Sequence, residues 1–192
     1  PTRRSSDLVY YNDRKSALDA DLHDLQFQAH FDTSQQRYSG TIGYRDGHLR
    51  VGDFKPIGHN LDAEFDATPA KFTLQRAILT SGTSKIQLSG NVQNYANPHI
   101  AVKYAATVNA GEFRGVMNNP SLPSGWSSTE GTLNYQSEPN VPMLATLNLD
   151  GRISSSVLKV VSPKFRGNVS DIGARYSLAK GNATITDIHA QL

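Results

Sequence analysis

Residues 99–108 read HIAVKYAATV, and their alternation decides the fold. Ile100, Val102, Tyr104, Ala106 and Val108 fall on one side of an extended chain, with His99, Lys103 and Thr107 on the other. A period of two places successive side chains on opposite faces, which is the pattern of a strand buried on one side only. Working outward, KIQLSGNV (85–92) repeats the pattern with Ile86, Leu88, Gly90 and Val92. LQFQAHF (25–31) places Leu25, Phe27, Ala29 and Phe31 opposite Gln26, Gln28 and His30. MLATLNL (143–149) reads as a strand with Met143, Ala145, Leu147 and Leu149 on one face. Leu61, Ala63 and Phe65 alternate with Asp62 and Glu64 in the same way. Gly, Asn, Asp and Pro between these runs supply turns. The fold class expected is all-β, an elongated and curled antiparallel sheet of repeated hairpins. One stretch departs from it: NAGEFRGVMNNP (109–120) predicts a short helix near 110–118 that ends before Pro120.

The strands also resemble one another. YSGTIGYRDGHLRVGDF (38–54) aligns with IGARYSLAKGNATITDI (172–188). Tyr38, Gly40, Ile42 and Tyr44 then match Ile172, Ala174, Tyr176 and Leu178, while Leu49 and Val51 match Ala183 and Ile185. Each copy is expected to be a strand, a tight turn ending in glycine, and a returning strand. YYNDRKSALDADL (10–22) resembles RVGDFKPIGHNLDAEF (50–65), and LSGNV (88–92) resembles FRGNV (165–169). Three such matches predict a meander of drifted hairpins, the kind of repetition that builds extended sheets.

Composition narrows the chemistry. The 192 residues include no cysteine, which removes disulfides, thiolate nucleophiles and cysteine-ligated zinc together. A net charge of +2 with interspersed signs lacks the clustered basic face of a nucleic-acid binder. The six histidines, His23, His30, His48, His59, His99 and His189, include no pair at the helical spacing of a zinc motif. GWSST (125–129) falls one glycine short of a nucleophile elbow, and SGTSK (81–85) lacks the phosphate-loop spacing. No catalytic residue, metal or cofactor is expected, so the chain reads as a non-enzyme. Trp126, in a loop-like context of Ser, Gly and Pro, is expected to cover one end of the sheet, or, were the chain a binding module, to stand exposed as its anchor.

The opening octapeptide PTRRSSDL (1–8) has no apolar partner nearby and back-translates to the end of a widely used sequencing adapter. Residues 1–8 are therefore expected to be an adapter artefact, disordered and outside the fold. Residues 9–192 are expected to form one β repeat region, a fragment of a longer protein.

The order of motifs resembles the AsmA-like/TamB family of bacterial envelope proteins. The resemblance is carried by VYYNDRKSALDADLHDL (9–25), YSGTIGYRDGHLRVGD (38–53), the NLDAEF…KIQLSGNV…NPHIAVKY series (60–104), and EFRGVMNNPSLPSGW (112–126) with STEGTLNYQ after it. It implies a taco-like sheet with an apolar inner groove, a periplasmic location, and an inner-membrane anchor in the missing N-terminal part. It further implies phospholipid transfer between inner and outer membranes, and for TamB a partner barrel of the Omp85 type. The groove expected on residue grounds is lined by Phe27, Phe31, Ile42, Tyr44, Leu49, Val51, Leu61, Phe65, Ile86, Leu88, Val92, Ile100, Val102, Tyr104, Leu147, Leu149 and Tyr176. Its partners would be phospholipid acyl chains. Two alternatives stand beside it: a closed β-sandwich serving as a binding or adhesion module, and a scaffold assisting outer-membrane protein assembly.

Overall fold

The computed structural model describes residues 4–13, 18–162 and 164–192. Eleven strands form one antiparallel sheet in strict sequence order, each paired with the strand before it and the strand after it. They are β1 (Arg4–Asp13), β2 (Leu18–Asp32), β3 (Arg37–Val51), β4 (Ile57–Ala67), β5 (Lys71–Ser81) and β6 (Ser84–Gln93). β7 (His99–Asn109), β8 (Ser124–Gln136), β9 (Leu147–Val161), β10 (Arg166–Ala179) and β11 (Asn182–Gln191) complete it. At about 4.8 Å between strands the sheet runs about 50 Å from β1 to β11. Its edges do not meet, so the sheet is open rather than a barrel.

A single layer has consequences for burial. Among the described residues only Tyr44, Ala63 and Ala77 are buried apolar side chains, and no large side chain is fully enclosed. The accessible surface is 12812 Å², against about 9000 Å² for a compact monomer of this mass. Among the described residues no second sheet packs on either face, so they do not form the sandwich held as an alternative. No helix among the described residues is long and apolar enough to cross a membrane.

The expected helix is present as α1 (Ala110–Val116). Asn109 caps it by accepting from the Gly111 amide, the local bond that makes asparagine a good helix start. Glu112 in its first turn reaches back to the β5–β6 turn. It accepts from the Thr83 amide (2.7 Å), Thr83 Oγ1 (2.7 Å) and Ser84 Oγ (2.7 Å). These donors hold the Glu112 carboxyl below its ordinary range. The helix is thereby fastened along one rim of the sheet.

Four expectations differ from the structure. Residues 143–149 do not form one strand: Met143–Thr146 make a single helical turn, α2, and β9 starts at Leu147. Pro142, at the N-cap, cannot donate a ladder hydrogen bond, so a strand has no reason to start there. Asp46-Gly47 is not a hairpin turn. β3 runs straight through it, with a register shift between Tyr44 and Gly47. Asp46 alone is left-handed (φ 55°), whereas a type I′ hairpin needs both central residues so. The matching Lys180-Gly181 (φ 52° and 77°) does turn, joining β10 to β11. Residues 4–8, expected to be disordered, lie in β1, with Arg4 opposite Phe27. An open edge offers backbone pairing to any extended segment, so this pairing is silent on where those residues come from; residues 1–3 lie outside the described residues. Trp126 belongs to β8 and covers no end of the sheet: it is 46% exposed, on the face opposite Val108.

Replacing Glu112 by alanine is expected to lower stability by about 1 kcal/mol, read as a shift of the urea midpoint at constant slope. Because the folded carboxyl titrates below its unfolded value of 4.5, the advantage of the parent is present above that pH. It is expected to vanish as pH falls through the folded value.

Candidate functional site

Directly opposed residues in an antiparallel pair share a face, so the register assigns every side chain to one side or the other. One row can be followed across the sheet: Phe27, Ile42, Ala63, Ala77, Leu88, Tyr104, Gly131, Gly151, Tyr176 and Ile185. The row beside it contains Phe65, Leu74, Gly90, Val102, Leu133, Leu149 and Leu178. Beyond that come Phe31, Tyr38, Phe72, Val92, Ile100, Tyr135 and Leu147. On the other flank run Tyr44, Leu61, Leu79, Ile86, Ala106 and Ile153. Leu49, opposite Ile57 beyond the β3 bulge, returns to the same side. Sixteen of the seventeen sequence-predicted residues thus lie on one face; Val51 closes β3 opposite Leu18, and its side chain lies outside the described residues.

The face is covered unevenly. Phe27 is 40% and Phe31 42% exposed. The Phe65 ring stacks between Phe27 (5.8 Å) and Phe72 (5.7 Å), and Phe31 tilts against Tyr38 at 4.6 Å. Offset aromatic pairs of this spacing are favourable beyond the area they bury. At the α1 rim the face becomes polar: His59, Ser84, Ser127 and Ser155 follow the apolar rows there. His59 stacks edge-on against Tyr44 at 5.4 Å, and burial, with His48 nearby, lowers its pKa.

Two glycines shape the centre. Gly131 and Gly151 face each other between β8 and β9, flanked by Tyr104 on β7 and Tyr176 on β10. With no Cβ beneath them, both rings lie down over the glycines, and the tyrosine hydroxyls meet at 2.6 Å. Proton accounting fixes the direction of the network. Thr129 Oγ1 donates to the Arg152 carbonyl (2.9 Å), so it accepts from Tyr176 (2.6 Å), which in turn accepts from Tyr104. Every hydroxyl is consumed within the protein, leaving ring faces on the surface. Burial and then the Tyr176 hydroxyl push the Tyr104 pKa up strongly.

The opposite face is polar and tied together by ion pairs. Arg76–Glu64 (2.9 Å) and Arg50–Asp19 (2.7 Å) join residues directly opposed across strands. Arg45–Asp62 (2.7 Å) and Arg152–Glu130 are further pairs. A hollow opens on this side, where Lys85, Glu130 and Arg152 stand around Ala105, Ser128 and Ser154. On the apolar side the gaps over Gly40, Gly131 and Gly151 are filled by the rings of Phe65, Tyr104 and Tyr176.

Sequence reasoning missed Phe72, Leu74, Leu79, Leu133, Tyr135 and Ile153. In β5 the register shifts between Leu74 and Ala77, so the face is read by Phe72, Leu74, Ala77 and Leu79. That odd step breaks strict alternation. It also set aside His23, Asp46 and His48, whose donor atoms lie within 4.8 Å of one another. No family model, curated protein or solved structure matches the chain.

Replacing Tyr104 by phenylalanine is expected to cost about 0.5–1.5 kcal/mol at neutral pH. Unfolded tyrosine loses its proton near pH 10.0, while folded Tyr104 keeps its own to higher pH. Stability of the parent is therefore expected to hold up to that point and fall above it, and less steeply in Tyr104→Phe. Melting temperatures across the alkaline range check both.

Proposed function

We propose that the chain is a non-catalytic segment of a bacterial envelope protein whose open sheet offers an apolar track for phospholipid acyl chains. One observation carries the reading: apolar rows cross the sheet from β2 to β11, and no other layer covers them. A sheet with one apolar face must cover it with something. Acyl methylenes suit such a face, and burial is worth about 0.8 kcal/mol for each one fully removed from water. Such binding has little to distinguish one head group from another. Because strand-to-strand rows are alike, cargo can slide from one to the next; the sheet supplies a path and no direction.

The motif order shared with AsmA-like/TamB proteins supports the same reading and extends it. On that likeness the full-length protein sits in the periplasm, anchored in the inner membrane, and carries phospholipid between inner and outer membranes. The same likeness leaves a second reading, a scaffold that helps an Omp85-type barrel assemble outer-membrane proteins.

Placing a charge in the track is the direct test. Val102→Asp and Leu88→Lys are each expected to reduce phospholipid recovered in organic extracts of the purified protein by about tenfold, the effect of losing contact with roughly two methylenes. Thr132→Asp, on the polar face opposite Lys103, is expected to leave it unchanged. Equal lipid in all four proteins would remove the track.

A further inference from the structure

The double bulge in β2 and β3 gathers side chains that neither strand would otherwise bring together. The β2–β3 register shifts between Asp21 and His23 and again between His23 and Gln26. Asp24 (φ 49°) and Asp46 (φ 55°) take left-handed backbone at these irregularities. A bulge re-aims the side chains around it. Because Tyr44 and Gly47 both belong to the apolar face, the two residues between them, Arg45 and Asp46, are turned to the polar face. Asp21 and His48 are direct partners there, and His23 pairs with Arg45.

The outcome is a compact donor set. His23, Asp46 and His48 each offer one ligand atom, all within 4.8 Å of one another. Asp21 Oδ2 lies 3.2 Å from His23 Nε2, while Asp21 Oδ1 is buried without a hydrogen-bond partner. His48 Nε2 lies 3.9 Å from Asp46 Oδ1. Arg45, the cation closest in sequence, is engaged by Asp62 and by the Leu61 carbonyl.

We propose that His23, Asp46 and His48 bind a divalent transition-metal ion of the zinc class, with Asp21 as the carboxylate that orients the His23 ring. Two imidazoles and one carboxylate are the donors such ions take, whereas calcium and magnesium prefer an all-oxygen set. A carboxylate behind a ligating imidazole is the usual outer partner. Metal-bound water would donate to Asp21 Oδ1, meeting an acceptor that is costly to leave unpaired. The ion would pin β2 to β3 where the bulges have cost the ladder its hydrogen bonds. It sits on the face away from the acyl track, so the site stands or falls independently of the lipid reading.

The test is calorimetric titration of the tag-free, chelator-dialysed chain with Zn²⁺, repeated with Co²⁺ and visible spectroscopy. One equivalent should bind, and Co²⁺ should develop an absorption band that added Zn²⁺ abolishes. His48→Gln and Asp46→Asn should each weaken Zn²⁺ binding by more than tenfold, and Asp21→Asn by about tenfold. His30→Gln, on the same polar face but outside the cluster, should bind as the parent does. Absence of one-equivalent binding in the parent overturns the proposal, as does equal weakening by His30→Gln, which would mean scattered surface histidines. The Co²⁺ band is read on the unmodified chain, so the proposal remains testable even where a variant fails to fold.

Discussion

Everything in this molecule hangs on antiparallel pairing between strands that are neighbours in sequence. Each strand touches its neighbours in sequence, and among the described residues only the two short helices add substantial contacts between elements. A globular domain can lose a ladder bond and be held by its core, whereas here the ladder is nearly the whole scaffold. Register therefore does two jobs at once. It supplies cohesion, and it decides which side chains share a face, since a slip of one residue would exchange the faces of a strand entirely. The bulges in β2, β3 and β5 are tolerated because each is followed by a return to phase: beyond its bulge, β3 brings Leu49 back beside the apolar rows.

The second constraint is how to finish a face that no protein layer covers. Glycine at the centre of a strand weakens it, yet Gly131 and Gly151 sit opposite each other in the middle of β8 and β9. Their missing side chains make room for Tyr104 and Tyr176 to lie flat and join hydroxyl to hydroxyl, a tie from β7 to β10 in a fold made mostly of neighbour contacts. Phe65 over Gly40 repeats the device on β3 and β4. Gly47, whose Asp-Gly context reads as a turn, serves the same end. A Cβ there would strike Tyr44 and His59, so the glycine is required by packing rather than by backbone conformation.

This explains what could be read from the residues and what could not. Alternation in HIAVKYAATV and KIQLSGNV survives intact because β6 and β7 pair without irregularity, and the face assigned from sequence is the face observed. β5 was opaque because its phase changes midway, and β8 because Gly131 stands where an apolar residue would mark the face. The Asp-Gly pair at 46–47 misled because hairpin chemistry and bulge chemistry use the same residues. Only the register of both neighbours separates them. The cluster of His23, Asp46 and His48 was hidden for the same reason: a bulge moves residues between faces, and no linear spacing records it. α1 was legible because its cap, Asn109, and the proline at 120 that bounds it are local signals, although the helix itself ends at Val116.

The two faces consequently specialise in opposite ways. On the polar face, charges pair across strands and the donor set at the double bulge fixes particular atoms in particular places. Interactions there are directional and specific. On the other face, direction has been reduced: the Tyr104 and Tyr176 hydroxyls are spent within the protein, gaps over glycine are filled by rings, and successive rows present similar hydrocarbon. A surface without deep pockets cannot hold one molecule firmly in one place, because affinity concentrated at a site requires enclosure on several sides. What it can do is offer many near-equivalent positions of modest affinity, with small barriers between them. That is the property the proposed conduit needs, and it follows from the same alternation that built the sheet.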